Sequence, residues 1–163
     1  MFEQTLLPAL QTARSRYADV LVNLEERELI WRLAPGSNSV GFLIRHIAEV
    51  EYRFCMMFFQ RAVPEDVRLA TIGDVRDEGI YTDLASLLAF REASYGYLLD
   101  SLAALPVEAW DVPCIAPIAT ITPRQALGRL IYHNGYHAGQ VGMIRKYGGK
   151  GGETHDTPPP VRM

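Results

Sequence analysis

Two histidines four residues apart, His133 and His137, are the residues of this chain best placed to do chemistry. They lie in a segment whose apolar pattern predicts a long helix. Four residues is just over one helical turn, so both imidazoles leave the same face of that helix. Two histidines at this spacing can bind one metal ion at neighbouring coordination positions. His46, on another apolar segment, is a third candidate ligand.

The periodicity places all three imidazoles on core-facing stripes of two predicted helices. A buried polar group without a partner costs about 1–3 kcal/mol, and a divalent metal ion removes that cost by taking a lone pair from each ring. Three hydrogen-bonded core histidines without metal are the alternative. Three protein ligands leave coordination positions open, as in catalytic sites. A metal-bound water or thiol would lose its proton readily, so hydrolysis and thiol transfer are both open.

Several polar residues lie near this predicted site. Glu49, one turn after His46, is a candidate fourth ligand, general base or orienting group for an imidazole, or an ordinary charge at the edge of the stripe. Gln140, one turn after His137, points the same way and is a candidate to hydrogen-bond a ligand or substrate, with a structural role as the alternative. Three arginines near the mouth of the site could meet an acidic substrate, although solvated surface charges are the simpler and favoured explanation: Arg45, Arg53 and Arg129.

The elements that must position these side chains are four amphipathic helices. Proline, glycine and capping residues mark their ends. No strand is predicted over 115–121, where β-branched residues occur without clear polar alternation. The predicted helices extend from about Phe2 to Trp31, from a cap at Ser37 or Ser39 to about Arg61, from a cap at Thr82 or Asp83 to about Ala104, and from a cap at Thr120 or Thr122 to Gly148–Gly149.

Four such segments predict an all-α fold, a four-helix bundle with a long crossover connection between the second and third helices. We expect residues 1–149 to form this bundle and residues 150–163, rich in glycine and proline, to form a flexible C-terminal tail that includes His155. Metal sites in bundles are built from inward side chains on facing helices.

Composition narrows the function. The chain has 163 residues, a formal net charge of −3 and no basic cluster, which disfavours nucleic-acid binding. No apolar run approaches the roughly 20 residues of a membrane span, and no signal-peptide pattern is evident. Two distant cysteines, Cys55 and Cys114, fit buried thiols in a reducing compartment, so a cytoplasmic protein is expected. No nucleotide-binding glycine pattern is present.

Two segments resemble the signatures of the DinB/YfiT-like metalloprotein superfamily: Ser39-Val-Gly-Phe-Leu-Ile-Arg-His-Ile-Ala-Glu-Val-Glu-Tyr52 and His133-Asn-Gly-Tyr-His-Ala-Gly-Gln140. The family name refers to induction by DNA damage, and the family is distinct from the similarly named polymerase. The resemblance implies a bundle with up-down-down-up helix directions and a divalent metal ion on His46, His133 and His137.

The resemblance also implies what such a site does. Zinc or nickel is the favoured metal, with manganese and iron as further options. A low-molecular-weight thiol such as mycothiol or bacillithiol serves some members as cofactor. We therefore expect a metal-dependent enzyme, a thiol-dependent S-transferase or a hydrolase, that acts on a small molecule and forms a homodimer. The alternative is a non-catalytic metal- or small-molecule-binding protein of the stress response.

Overall fold

A computed structural model of the chain describes residues 2–148, with side chains from residue 6 onward. Four helices dominate, and a short hairpin precedes the last of them. Two 3-10 turns, at Glu26–Glu28 and Val107–Asp111, follow the first and third helices. The elements are α1 (Phe2–Val20), α2 (Val40–Phe58), α3 (Leu84–Ala104), β1 (Cys114–Ala116), β2 (Ala119–Ile121) and α4 (Pro123–Tyr147).

Three of the helices begin at a side-chain cap that the sequence predicts. Ser39 Oγ accepts the backbone N–H of Phe42 at the start of α2. Asp83 accepts that of Ser86 at the start of α3. Thr122 forms a reciprocal capping box with Gln125, directly before Pro123. Each cap satisfies a backbone donor that the first helical turn leaves unpaired, which fixes where the helix begins.

The predicted extension of the first helix to Trp31 is wrong, because α1 ends at Val20. The guanidinium of Arg145, on α4, donates to the backbone carbonyls of Val20, Val22 and Asn23 at 2.7, 3.0 and 3.2 Å. These carbonyls therefore need no further helical turn to be satisfied. Asn23 then takes a left-handed φ of 54°, which redirects the chain.

Contacts between the helices fix their directions. Tyr17 packs on Ala138, and Gly142 faces Val20, so α1 and α4 are parallel. Along α2 and α3, Arg45 lies over Phe90 and Tyr52 packs against Tyr97, so these helices are also parallel.

Helices α2 and α4 are antiparallel, since His46 faces His137 and Glu51 faces Asn134. The order is therefore up-down-down-up. Because α2 and α3 are parallel neighbours, the chain between them must return along the length of the bundle. Residues 59–83 make this connection, and the predicted four-helix bundle with a long crossover is confirmed.

A two-stranded antiparallel hairpin occupies part of the segment for which the sequence predicts no strand. Cys114 pairs with Ile121 and Ala116 with Ala119. Each strand has three residues, too few for an alternating pattern to emerge. Ile121 is buried in the core and anchors the hairpin at the base of α4.

The bundle buries apolar residues of all four helices between them. Within residues 2–148 no helix combines the length and the apolar character needed to cross a membrane. The predicted tail, residues 150–163, lies outside the described residues.

Candidate metal centre

The structure brings His46, His133 and His137 together. One ring nitrogen from each lies within 4.8 Å of those of the other two. The Nε2 atoms of His46 and His133 are 3.2 Å apart. The ring centroids are separated by 4.4 Å for the pair on α4 and by 5.0 and 5.1 Å between the helices. All three rings are partly buried, so the cluster lies at the wall of the core and not in its centre.

Each imidazole has a separate protein acceptor for its Nδ1 atom. His46 Nδ1 lies 2.9 Å from the Thr71 carbonyl oxygen, and His137 Nδ1 lies 2.6 Å from Gln140 Oε1. For His133 the nearest acceptor is Asn134 Oδ1, at 3.4 Å. A proton on Nδ1 that is donated outward leaves the Nε2 lone pair free to face the other rings, which is the arrangement of metal-binding histidines.

Burial also keeps the rings neutral. It lowers the pKa of His46 and of His137. Burial together with the two neighbouring imidazoles lowers the pKa of His133 to about 3. At neutral pH the three rings therefore carry lone pairs and no positive charge, as a metal ion requires of its ligands.

These residues fit a divalent transition metal. Two acceptor nitrogens at 3.2 Å repel each other unless a proton or a cation lies between them. Two nitrogens bound to one tetrahedral zinc ion at 2.0–2.1 Å lie about 3.3 Å apart, close to this separation. Three imidazoles suit zinc, nickel, copper and iron, so the donor set selects a class of metal without selecting one ion.

Glu49 does not belong to the cluster of ring nitrogens. Its buried carboxylate accepts the backbone N–H and the hydroxyl of Thr71 at 2.7 and 2.8 Å. It also pairs with Arg45, at 2.6 Å. Thr71 in turn presents its carbonyl to His46. Of the roles considered for Glu49, these contacts favour that of a residue that orients the imidazole of His46 through Thr71.

Gln140 orients the imidazole of His137. Its Oε1 accepts from His137, and its amide nitrogen lies 3.3 Å from the hydroxyl of Tyr136, which it contacts as a donor. The Tyr136 ring stands edge-on to His137, with 5.0 Å between the centroids. Gln140 therefore contacts a candidate ligand directly and has a defined orientation.

Sequence reasoning missed Thr71, Asn134 and Glu51. Thr71 lies in the irregular connection, where no periodicity shows which backbone carbonyl will face the site. Asn134 follows His133 directly, and its amide donates to the buried carboxylate of Glu51 at 2.9 Å. The clue for Glu51 was an acidic residue within an apolar run, two positions after Glu49.

A cleft of about 480 Å³ opens beside the histidines. His46 and His133 form part of its wall, and the arginines of the two helices, Arg53 and Arg129, line it as well. A second cleft, of about 420 Å³, is lined by Tyr136 and Gln140 and by none of the histidines. Of these two clefts, the first is therefore the one that reaches His46 and His133.

Two other candidates lie apart from the site. Cys55 is completely buried and its pKa is raised to about 12, chiefly by burial, so the thiol is unreactive at neutral pH. His155 lies outside the described residues.

Comparison with known proteins agrees with this architecture. The crystal structure of TT2238, a four-helix bundle protein, superposes with a TM-score of 0.62 at 18% sequence identity. The match covers 86% of this chain and 98% of that chain. At this identity the likeness concerns the fold alone. No curated protein matches the sequence significantly. The family model of the DinB superfamily matches residues 9–141, a span that includes all three histidines and the crossover connection. The chain therefore belongs to the DinB superfamily.

Proposed function

We propose that the protein is a divalent-metal-dependent enzyme that transfers a low-molecular-weight thiol to a small-molecule substrate, with His46, His133 and His137 as the metal ligands. The observation that carries the proposal is the convergence of three neutral imidazoles, each with its own Nδ1 acceptor, beside an open cleft. A plain helical interaction domain would not need three ring nitrogens facing one another in a partly buried site.

Thiol transfer is favoured over hydrolysis by the state of the nearest carboxylate. A general base beside the metal would assist a bound water in hydrolysis, but the Glu49 carboxylate already binds Thr71 and Arg45. Among the described residues that line the cleft beside the histidines, none is acidic. When bound, the metal ion would ionise a thiol outright, so that reaction needs no such base.

The residues of the chain would then position and shield the reactants. Thr71 and Gln140 hold the imidazoles of His46 and His137 in one orientation. Phe42 stacks on His46 with ring planes 12° apart and restricts that ring further. Val50 and Phe54 give the cleft an apolar wall. An apolar wall next to the ligands excludes water and strengthens the electrostatic interactions within the cleft.

Metal stoichiometry tests the ligand set. After loading with zinc or nickel and gel filtration, elemental analysis of the wild-type protein should give one ion per chain. His133→Ala and His137→Ala should each lose the ion while the helical circular dichroism signal is retained, because burial between the helices supplies most of the stability. His155→Ala, which removes the one histidine outside the triad, is the matched control and should retain the metal.

Activity separates thiol transfer from its alternatives. Metal-loaded protein should consume a free thiol in the presence of an electrophile such as 1-chloro-2,4-dinitrobenzene faster than the uncatalysed reaction, and chelator-treated protein should not accelerate it. Hydrolysis of 4-nitrophenyl acetate without thiol consumption would favour a hydrolase instead. Tight metal retention with neither activity, across a broad set of thiols and electrophiles, would identify a non-catalytic metal-binding protein.

A further inference from the structure

Two arginines that line the cleft beside the histidines have no partner elsewhere in the described part of the bundle. Arg53 on α2 and Arg129 on α4 both line it. Among the described residues, neither guanidinium has a hydrogen bond, an ion pair or an aromatic face as partner. Arg45 differs, since it pairs with Glu49 and donates to the Arg68 carbonyl while lying over Phe90. Of the three arginines near the mouth, two are therefore available to a ligand.

The two arginines lie on the same side of the triad along the bundle axis. Arg53 follows His46 by seven residues and Arg129 precedes His133 by four. Because α2 and α4 are antiparallel, both offsets run in one direction. At 1.5 Å per helical residue they place the two backbone positions about 10 Å and about 6 Å beyond the histidines. One end of the cleft thus holds the ring nitrogens and the other end holds two cations.

The wall between these ends is apolar. Val50 and Phe54 come from α2, Ile72 from the crossover connection, Ile118 from the hairpin turn and Tyr132 from α4. The crossover and the hairpin therefore each contribute an isoleucine to the wall of the cleft. A volume of about 480 Å³ is suited to a small organic molecule. No acidic side chain offsets the arginines within the described lining of this cleft.

We propose that this cleft binds a small substrate with an anionic carboxylate at one end and an apolar body at the other, with Arg53 and Arg129 as the carboxylate-binding residues. Guanidinium groups bind carboxylates through charge-assisted and often bidentate hydrogen bonds. The backbone of these arginines lies one to two helical turns from the histidines, which leaves room for an apolar body between the carboxylate and the reacting end. Only the statement that the other end of the substrate reacts at the metal rests on the proposed function. Carboxylate binding by the arginines needs no metal.

The test measures binding to chelator-treated, metal-free protein, so that it is independent of catalysis. The probes are benzoate, phenylacetate and 3-phenylpropionate, each paired with its neutral primary amide, and the method is isothermal titration calorimetry. At least one carboxylate should bind at least about tenfold more tightly than its amide, and the preference should weaken as ionic strength rises. Arg53→Gln and Arg129→Gln should each reduce carboxylate affinity by about tenfold without changing amide affinity.

Two controls keep the outcome interpretable. Arg53→Lys retains the charge and should recover part of the affinity. Arg76→Gln removes an arginine whose side chain is 86% exposed, outside the cleft, and should have no effect. Equal binding of acids and amides, unchanged affinity in the double variant Arg53→Gln/Arg129→Gln, or carboxylate binding that appears only after metal loading would overturn the inference. Failure of metal retention alone would count against the proposed function and leave this inference standing.

Discussion

At the scale of single residues, Glu49 shows how a side chain that does not touch the triad can control it. Its carboxylate fixes Thr71, and Thr71 fixes the tautomer and orientation of His46. Groups that orient metal ligands in this way typically change metal affinity by about 10–100-fold when they are replaced. Glu49 is therefore a positioning residue in the proposed site.

We predict that Glu49→Gln lowers zinc affinity by about 10–100-fold, because the amide cannot accept from both groups of Thr71 while it also pairs with Arg45. Competition with a chromophoric chelator measures the affinity. Glu78→Gln makes the same change on an exposed side chain and should leave affinity unaltered. A metal-free Glu49→Gln protein that melts at a lower temperature but binds zinc as tightly as wild type would show a purely structural role.

How far the site could be predicted depends on where each residue lies in the chain. His133 and His137 belong to one helix, so their spacing alone puts them on one face. His46 needed only a second helix with its apolar stripe turned inward. Thr71 could not be found in this way, because its carbonyl reaches His46 from an irregular connection whose path depends on the packing of the whole bundle.

At the scale of the elements, local chemistry predicted the helix starts well and one helix end poorly. The caps at Ser39, Asp83 and Thr122 act within a single turn, so the sequence shows them directly. The end of α1 depends instead on Arg145, which lies 122 residues beyond Asn23 along the chain. No local pattern reports a contact of that range.

The first turn of α2 passes so close to the chain before α3 that it has no room for a side chain. A Cβ atom on Gly41 would lie 2.0 Å from the carbonyl oxygen of Tyr81. Gly41→Ala should therefore destabilise the protein by about 1–3 kcal/mol, since backbone must move to accept the methyl group. Urea denaturation measures the loss.

The matched control for that substitution is Gly96→Ala. Gly96 lies in α3, where a methyl group added to the same backbone would meet nothing within 4 Å. This change should stabilise the protein by about 0.5–1 kcal/mol, the ordinary gain of alanine over glycine in a helix. Equal effects of the two substitutions would contradict the close approach at Gly41.

At the scale of the whole molecule, a buried polar network joins all four helices. Glu51 of α2 accepts the hydroxyl of Ser94 on α3 at 2.6 Å and the amide of Asn134 on α4 at 2.9 Å. Arg14 of α1 lies 3.8 Å from the same carboxylate. The arrangement links the core of the bundle to His133, because Asn134 contacts both. A completely buried carboxylate of this kind is costly unless every partner is present.

We predict that Glu51→Leu destabilises the metal-free protein by about 3–5 kcal/mol, because it leaves the largely buried Arg14 without its inner partner and removes an acceptor from Ser94 and Asn134. Adding Arg14→Leu should recover part of the loss, with a coupling energy of about 0.5–3 kcal/mol in a double-mutant cycle. Urea denaturation of the four proteins gives the cycle. Strict additivity of the two changes would show that the pair does not act as a unit.

The stability of the metal-free protein should depend on pH through the triad. Burial lowers the pKa of all three histidines in the folded state, that of His133 to about 3, whereas an unfolded histidine titrates near 6.5. Between these values the unfolded chain binds more protons than the folded one. Stability contributed by the neutral rings is therefore complete above pH 6.5 and is lost as the pH falls below it, by at most about 1.4 kcal/mol per pH unit for each histidine.

Buried Glu51 makes the stability depend on pH in the opposite direction to the histidines. Burial raises its pKa, so the folded state keeps a proton that the unfolded state releases above about pH 4.5, and this contribution falls as the pH rises. The histidine contribution is isolated by comparison with the variant His133→Asn/His137→Asn, which retains Glu51. Urea denaturation with chelator present should show the stability difference between wild type and variant growing from pH 4 to pH 6.5 and constant from pH 6.5 to pH 8. If the difference in stability between wild type and variant were the same at pH 4 and pH 7, the fold would not hold the rings neutral. The argument that three free lone pairs are available to bind a metal ion would then fail.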